Sequence, residues 1–222
     1  MVEKTKENTI RNGVCSTYLC NSPVGSKVLV SIRSSSFRLP TDPLVPVICV
    51  GPGTGFAPFA AFLDDRKVTL DKTHKIGPTF CYTGAKIYND CIYNDRVIEW
   101  SKMSGVNIAI AISREGDKQR VTDIMRLHAE QLVDAIIDKE GYLYICGDAR
   151  MADDTSAVLL ELISKVKGIS KLVAKDTLTM VKDSNRMQMD VWGLTSFFNE
   201  GATYFAEKKA NSAKNWLKMM QS

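Results

Sequence analysis

From residue 45 onward the chain alternates short apolar runs with stretches of helical periodicity. VPVICVG at 45–51 is almost continuously apolar and ends in glycine, the pattern of a strand buried on both faces of a parallel sheet. Similar runs recur at 78–82 (PTFCY), 106–112 (VNIAIAI), 142–147 (YLYICG) and, shorter, at 187–192 (MQMDVW). Between them the periodicity predicts helices near 57–65, 95–103, 122–138, 153–165 and 176–182. In the 122–138 segment Ile124, Leu127, His128, Gln131, Leu132, Ala135 and Ile136 fall on one stripe. Strands alternating with helices in this way predict an α/β fold with a doubly wound parallel sheet.

The flanking segments follow other rules. KVLVSIR at 27–33 alternates apolar and polar positions and predicts a half-buried strand, with Pro23, Gly25, Pro40, Asp42 and Pro43 marking turns around it. This stretch is too short to fold as a domain, so it reads as the end of a larger β-rich unit. Beyond Trp192, the positions Tyr204, Phe205, Lys208, Lys209, Ser212, Ala213, Trp216, Leu217 and Met220 suit an amphipathic helix. The expected organisation is a β-rich segment at 1–45, a nucleotide-binding α/β domain at 46–193 and a helical tail at 194–222.

Composition narrows the function classes. A hydrophobic share of 45% and a charged share of 24% are those of a globular protein with an ordinary core. A net charge of +4 is too slight for a nucleic-acid groove. No apolar run approaches the roughly 20 residues of a membrane span, and the polar start predicts no signal peptide. Six cysteines without C-x-x-C spacing, beside only His74 and His128, predict reduced thiols, no metal site and a cytoplasmic location.

Four segments carry candidate chemistry. GPGTGFAP at 51–58 joins a predicted strand to a helix; Gly51, Gly53 and Gly55 allow backbone N–H groups to approach a pyrophosphate, and Thr54 offers a hydroxyl. Taken alone, such a turn is equally a tight connection. SREGDKQR at 113–120 places a hydroxyl and several cations at the C-terminal end of a strand, where open α/β sheets collect ligands. Away from that position it would be a solvated charged loop. CGDARMADD at 146–154 sets Cys146 at a strand end, with Gly147 leaving space for a flat ring, although a cysteine there often only packs. MDVWG at 189–193 ends in Trp192, which is either core or a platform for a cofactor.

In this order the four segments resemble the NADP-binding region of the ferredoxin–NADP reductase family, in its diflavin branch. The resemblance extends over roughly 13–193. GVCSTYL at 13–19 is similar to the family segment around the FAD pyrophosphate, and SSFRLP at 35–40 to the join with the NADP domain. The resemblance implies that residues 1–45 are the remnant of an FAD-binding barrel. It implies FAD contacts by Gly13, Val14, Cys15 and Ser16, and NADP contacts by Gly51, Gly53, Thr54, Gly55, Met151 and Asp154. Lys86 falls near a family arginine, and Ser113, Arg114 and Lys118 match the 2′-phosphate pocket. Arg120 stands where the family usually has a tyrosine over the adenine; a guanidinium can stack there and add charge. Cys146 and Asp190 match residues beside the nicotinamide that assist hydride transfer, and Trp192 the aromatic shield on the flavin.

The implied function is hydride transfer between NADP(H) and FAD by an NADPH-dependent flavoprotein reductase, with FMN or iron–sulfur carriers in further domains of a longer polypeptide. The family's flavin-stacking motif is expected upstream of residue 1, so the chain is expected to be a weakly active part of its parent. Two other readings are a nucleotide-binding interaction module without electron transfer and a self-sufficient single-flavin reductase.

Overall fold

A computed structural model describes residues 2–4 and 10–193 of the chain, which fall into two compact units parting between Ser35 and Ser36. In the first unit, β1 (Val2–Lys4) pairs antiparallel with β2 (Ile10–Asn12). Directly after Gly13, α1 (Val14–Asn21) begins; it buries none of its residues. The strand expected at 27–33 does not form, and Leu29, Val30 and Ile32 stand exposed. Alternation supplies a face to bury, but a strand also needs a neighbour to exchange backbone hydrogen bonds with. None pairs with 27–33 among the described residues, where the first unit holds a two-stranded ribbon and a helix rather than the expected β-rich segment.

The second unit is built on five strands: β3 (Val47–Val50), β4 (Thr79–Ala85), β5 (Val106–Ile112), β6 (Tyr142–Asp148) and β7 (Met187–Trp192). They lie in the order β5-β4-β3-β6-β7, every pair parallel. The connecting helices are α2 (Ala57–Thr73), α3 (Asn94–Trp100), α4 (Val121–Leu127), α5 (Ala129–Val133), α6 (Ala149–Lys167) and α7 (Lys171–Asp183). This is the doubly wound sheet that the alternating pattern predicts.

The central strands show why their sequences are apolar throughout. Val47 and Cys49 of β3 pack with Phe56, Phe59, Leu63 and Trp100, whereas Ile48 and Val50 pack with Met125, Leu132, Ile136 and Leu159. β6 divides in the same way, Tyr144 and Cys146 to the first layer and Leu143 and Ile145 to the second. With a period of two and helices on both faces, each position is buried.

Helix boundaries depart from the sequence pattern for identifiable reasons. α2 runs past the expected end near 65 because no glycine or proline stops it before His74, which closes it in the left-handed region (φ 58°). α6 starts ahead of 153, where Asp148 caps it by accepting from the Arg150 N–H, and α7 starts ahead of 176 on a Ser170 cap. The expected 122–138 helix breaks at His128 (φ −106°, ψ 27°) and ends in a π-helical turn at Asp134–Asp138. The break rotates the stripe: Leu127 and Gln131 become exposed, and Met125 and Val133 take their places in the core. At the break, Nδ1 of His128 lies 2.9 Å from the Tyr82 hydroxyl.

Residues 36–45 belong with the sheet, so the two units part earlier than the boundary expected at 45. Phe37 sits among Phe59, Phe62 and Tyr144, with ring centroids 6.1, 5.7 and 5.4 Å away. The Tyr144 hydroxyl donates to the Arg38 carbonyl (2.7 Å), and the Arg38 N–H donates to Gln188 Oε1 (3.2 Å). The tail helix expected at 194–222 lies outside the described residues. No helix among the described residues is long and apolar enough to cross a membrane.

Candidate functional site

Because all five strands are parallel, their C-terminal ends share one edge of the sheet, and the loops carrying the candidate residues meet there. Chain order reverses beside β3: β4 and β5 lie to one side, β6 and β7 to the other. A ligand of an open α/β sheet binds in the crevice at such a reversal. The glycine turn leaves β3 at this point.

Gly51 donates its N–H to the Tyr82 carbonyl (2.9 Å), and the chain then coils through a short 3-10 turn, Gly53–Phe56, into α2. A Cβ on Gly51 would lie 2.4 Å from the Gly55 carbonyl oxygen and 2.6 Å from the Phe59 ring. One on Gly55 would lie 2.2 Å from the carbonyl oxygen of Cys146. Backbone therefore packs on backbone, and the turn is held tightly against β6. Gly53 differs: it adopts φ 57° and has open space in front of it. The turn thus offers a backbone surface and, close behind it, the N-terminus of α2 to an anion, with Thr54 exposed alongside.

The cationic loop lies two strands away, a separation of roughly 10 Å at the usual strand spacing. Here hydrogen bonding continues past the strand ends. Ser113 N–H reaches the Ala85 carbonyl (3.0 Å), its hydroxyl also donates there (3.3 Å), and Arg114 N–H reaches the Lys86 carbonyl (2.8 Å). Lys86, Ser113 and Arg114 are so brought together, although they lie on different loops. Gly116 (φ 59°) and Lys118 (φ 51°) turn the chain toward α4, where the Asp123 carboxylate accepts from the Arg120 N–H (2.9 Å). Lys86, Arg114, Lys118 and Arg120 are exposed, and among the described residues none forms an ion pair. Arg120 and Asp154 line one groove of about 380 Å3 between α4 and α6, with Arg126 and Glu161 on its walls.

On the other side of the reversal, Cys146 and Asp190 are register partners on β6 and β7. Cys146 is buried; that burial, and then the negative charge of Asp190, push its thiol above the ordinary range. The group is kept as a neutral thiol at neutral pH. Gly147 follows at φ 151°, with the Met151 methyl 2.6 Å and the Trp192 rim 3.9 Å from where a Cβ would stand. Met151 is steadied by the Thr155 hydroxyl donating to its sulfur (3.4 Å). Trp192 is 53% exposed and is therefore not a core residue. Gly13, Val14, Cys15 and Ser16 belong to the first unit, Gly13 as the N-cap of α1 and the others in its first turn.

Thiol reactivity checks the Cys146 environment. Iodoacetamide at pH 8 is expected to label the exposed Cys15 and Cys20 well before Cys146, read by peptide mass spectrometry. Equal labelling of all three would remove the protonated, buried thiol. Sequence reasoning missed one part of the site, the contact between the 86–88 loop and the cationic loop. Its only trace in the sequence is Tyr88 and Glu115 lying just past two strand ends.

Residues 49–157 match the oxidoreductase NAD-binding domain. The chain is 38% identical over 196 residues to an NADPH–cytochrome P450 reductase of Drosophila melanogaster, covering 85% of this chain and 29% of that protein. It is 32% identical over 223 residues to methionine synthase reductase of Bos taurus, covering 86% and 32%. With the bifunctional cytochrome P450/NADPH–P450 reductase 1 of Bacillus subtilis the identity is 37% over 185 residues, covering 81% and 17%. The chain spans a third or less of the length of these relatives. A parallel sheet with a glycine turn at its reversal, a cationic loop beside it and these matches lead to one conclusion: residues 49–157 are an oxidoreductase NAD-binding domain, and the chain is similar over most of its length to diflavin reductases of the ferredoxin–NADP reductase family.

Proposed function

We propose that this chain binds NADP(H) in preference to NAD(H) and presents its nicotinamide to FAD held by a longer polypeptide. One observation carries the reading: a glycine cradle at the chain reversal shares the ligand edge with exposed cations that have no ion-pair partner among the described residues. One extended dinucleotide bridges the two. Gly51, Gly53, Thr54 and Gly55 take the pyrophosphate and the nicotinamide side; Ser113, Arg114 and Lys118 take the 2′-phosphate, with Lys86 alongside. Arg120 and Asp154 contact the adenosine half, and Met151 contacts the nucleotide beside Gly147. Gly13, Val14, Cys15 and Ser16, at the open first turn of α1, take the FAD pyrophosphate.

When bound, the nicotinamide and the flavin supply the hydride donor and acceptor. The residues of this chain fix the geometry. Cys146 would offer a neutral thiol to the ring and Asp190 a carboxylate next to it, with Gly147 letting Met151 and Trp192 close on the strand end between them. The half-exposed Trp192 would be the side chain that shields the flavin and would have to yield for nicotinamide. Onward carriers, FMN or iron–sulfur centres, lie in other parts of the parent. The comparisons favour neither a non-enzymatic nucleotide-binding module nor a self-sufficient single-flavin reductase.

Calorimetric titration with NADPH and NADH tests the reading. NADPH is expected to bind more tightly, and equal or absent binding of both would overturn it. When flavin domains are supplied in trans, Trp192→Ala is expected to ease nicotinamide access and narrow the preference for NADPH over NADH in steady-state oxidation. An unchanged preference would mean that Trp192 does not shield the flavin.

A further inference from the structure

Glu115 is an acid in the middle of the cationic loop, one residue from Arg114 and three from Lys118. Left to itself, a carboxylate there would pair with those cations and repel a phosphate. The structure shows another use for it: Glu115 Oε2 accepts the backbone N–H of Tyr88 at 3.0 Å, across the gap between the loops that follow β4 and β5. This bond continues the ladder made by Ser113 with Ala85 and by Arg114 with Lys86. Immediately after it, Gly116 turns at φ 59°, and a Cβ there would lie 3.7 Å from the Tyr88 hydroxyl, so the two loops remain in register beyond their last backbone bond.

Resting on the NADP reading, we infer that Glu115 is a positioning residue for recognition of the 2′-phosphate. Its carboxylate works as a hydrogen-bond acceptor that fastens the Ser113–Lys118 stretch to the 86–88 loop and draws its own charge off the clasp. The guanidinium of Arg114 and the ammonium of Lys118 are then held ready before the phosphate arrives, which lowers the ordering cost of binding. The residue itself touches no nucleotide.

Substitution of one side chain in two ways separates acceptor from charge. Glu115→Gln keeps an oxygen that can accept from Tyr88 N–H and removes the charge; Glu115→Ala removes both. Calorimetry on the 222-residue chain uses adenosine 2′,5′-bisphosphate, with 5′-AMP as the probe lacking the 2′-phosphate. Glu115→Ala is expected to weaken the bisphosphate by roughly three- to tenfold, the effect of one hydrogen bond, and 5′-AMP by less than about twofold. Glu115→Gln is expected to bind the bisphosphate at least as tightly as the parent chain. Hydrogen exchange at the Tyr88 amide is expected to quicken in Glu115→Ala alone. If both variants bind the bisphosphate more tightly, Glu115 acts only by repulsion and the inference is overturned. If Glu115→Gln loses as much as Glu115→Ala, the charge and not the acceptor matters, which overturns it equally. A parent chain that fails to distinguish the bisphosphate from 5′-AMP overturns the NADP reading itself, and the inference with it.

Discussion

Arg114→Ala is expected to lower affinity for NADP+ by about tenfold or more and to leave NAD+ binding nearly unchanged. Arg114 donates its backbone N–H to the Lys86 carbonyl, while its exposed guanidinium forms no ion pair among the described residues, so its charge is available to a dianion. A hydrogen bond to a charged group contributes roughly 1.5–3 kcal/mol, and about 1.4 kcal/mol corresponds to each factor of ten in affinity. Arg114→Lys is expected to fall between, since it keeps the charge and loses the planar fork. Titration of both nucleotides into each variant gives the answer. Equal losses for NADP+ and NAD+ would mean that Arg114 does not meet the 2′-phosphate.

Gly55→Ala has the opposite signature: both nucleotides lose affinity together, and the fold loses stability with them. The added methyl would stand 2.2 Å from a backbone oxygen on β6, a central strand that cannot yield without disturbing both layers of the core. Overpacking of this kind costs about 1–3 kcal/mol, and in a chain of this size each kcal/mol moves the melting midpoint by roughly 2–4 °C. Gly53→Ala makes a useful contrast. Its methyl meets nothing, so its cost is that of a left-handed residue, about 1–2 kcal/mol. Thermal melts and titrations on the two variants separate these cases, and a Gly55→Ala chain with unaltered melting and binding would refute the packed cradle.

The parts legible in the sequence were those fixed by burial on two faces. β3 and β6 fall on the apolar runs at 45–51 and 142–147, because helices on both faces leave such runs no other conformation, whereas β5 and β7 match the runs at 106–112 and 187–192 as edge strands with exposed positions. The glycine turn was equally legible, since close backbone contacts at Gly51 and Gly55 demand the absence of a side chain. Helix ends were less so. At the break His128 meets a hydroxyl from a distant strand, a partner no local periodicity encodes. The segment 27–33 failed for the converse reason: its alternation states a preference that only a neighbouring strand can satisfy. The contact between Glu115 and Tyr88 joins two loops whose proximity arises from strand order, which a linear pattern does not contain.

The two bonds that hold Arg38 have a mechanical consequence. Tyr144 and Cys146 occupy alternate positions of β6 and so share a face, as Gln188 and Asp190 do on β7. The strap entering the sheet is therefore fastened about 7 Å from the thiol and the carboxylate along the same two strands. A pull on the polypeptide ahead of Ser36 is passed through the Tyr144 and Gln188 side chains to the two strands that carry that pair.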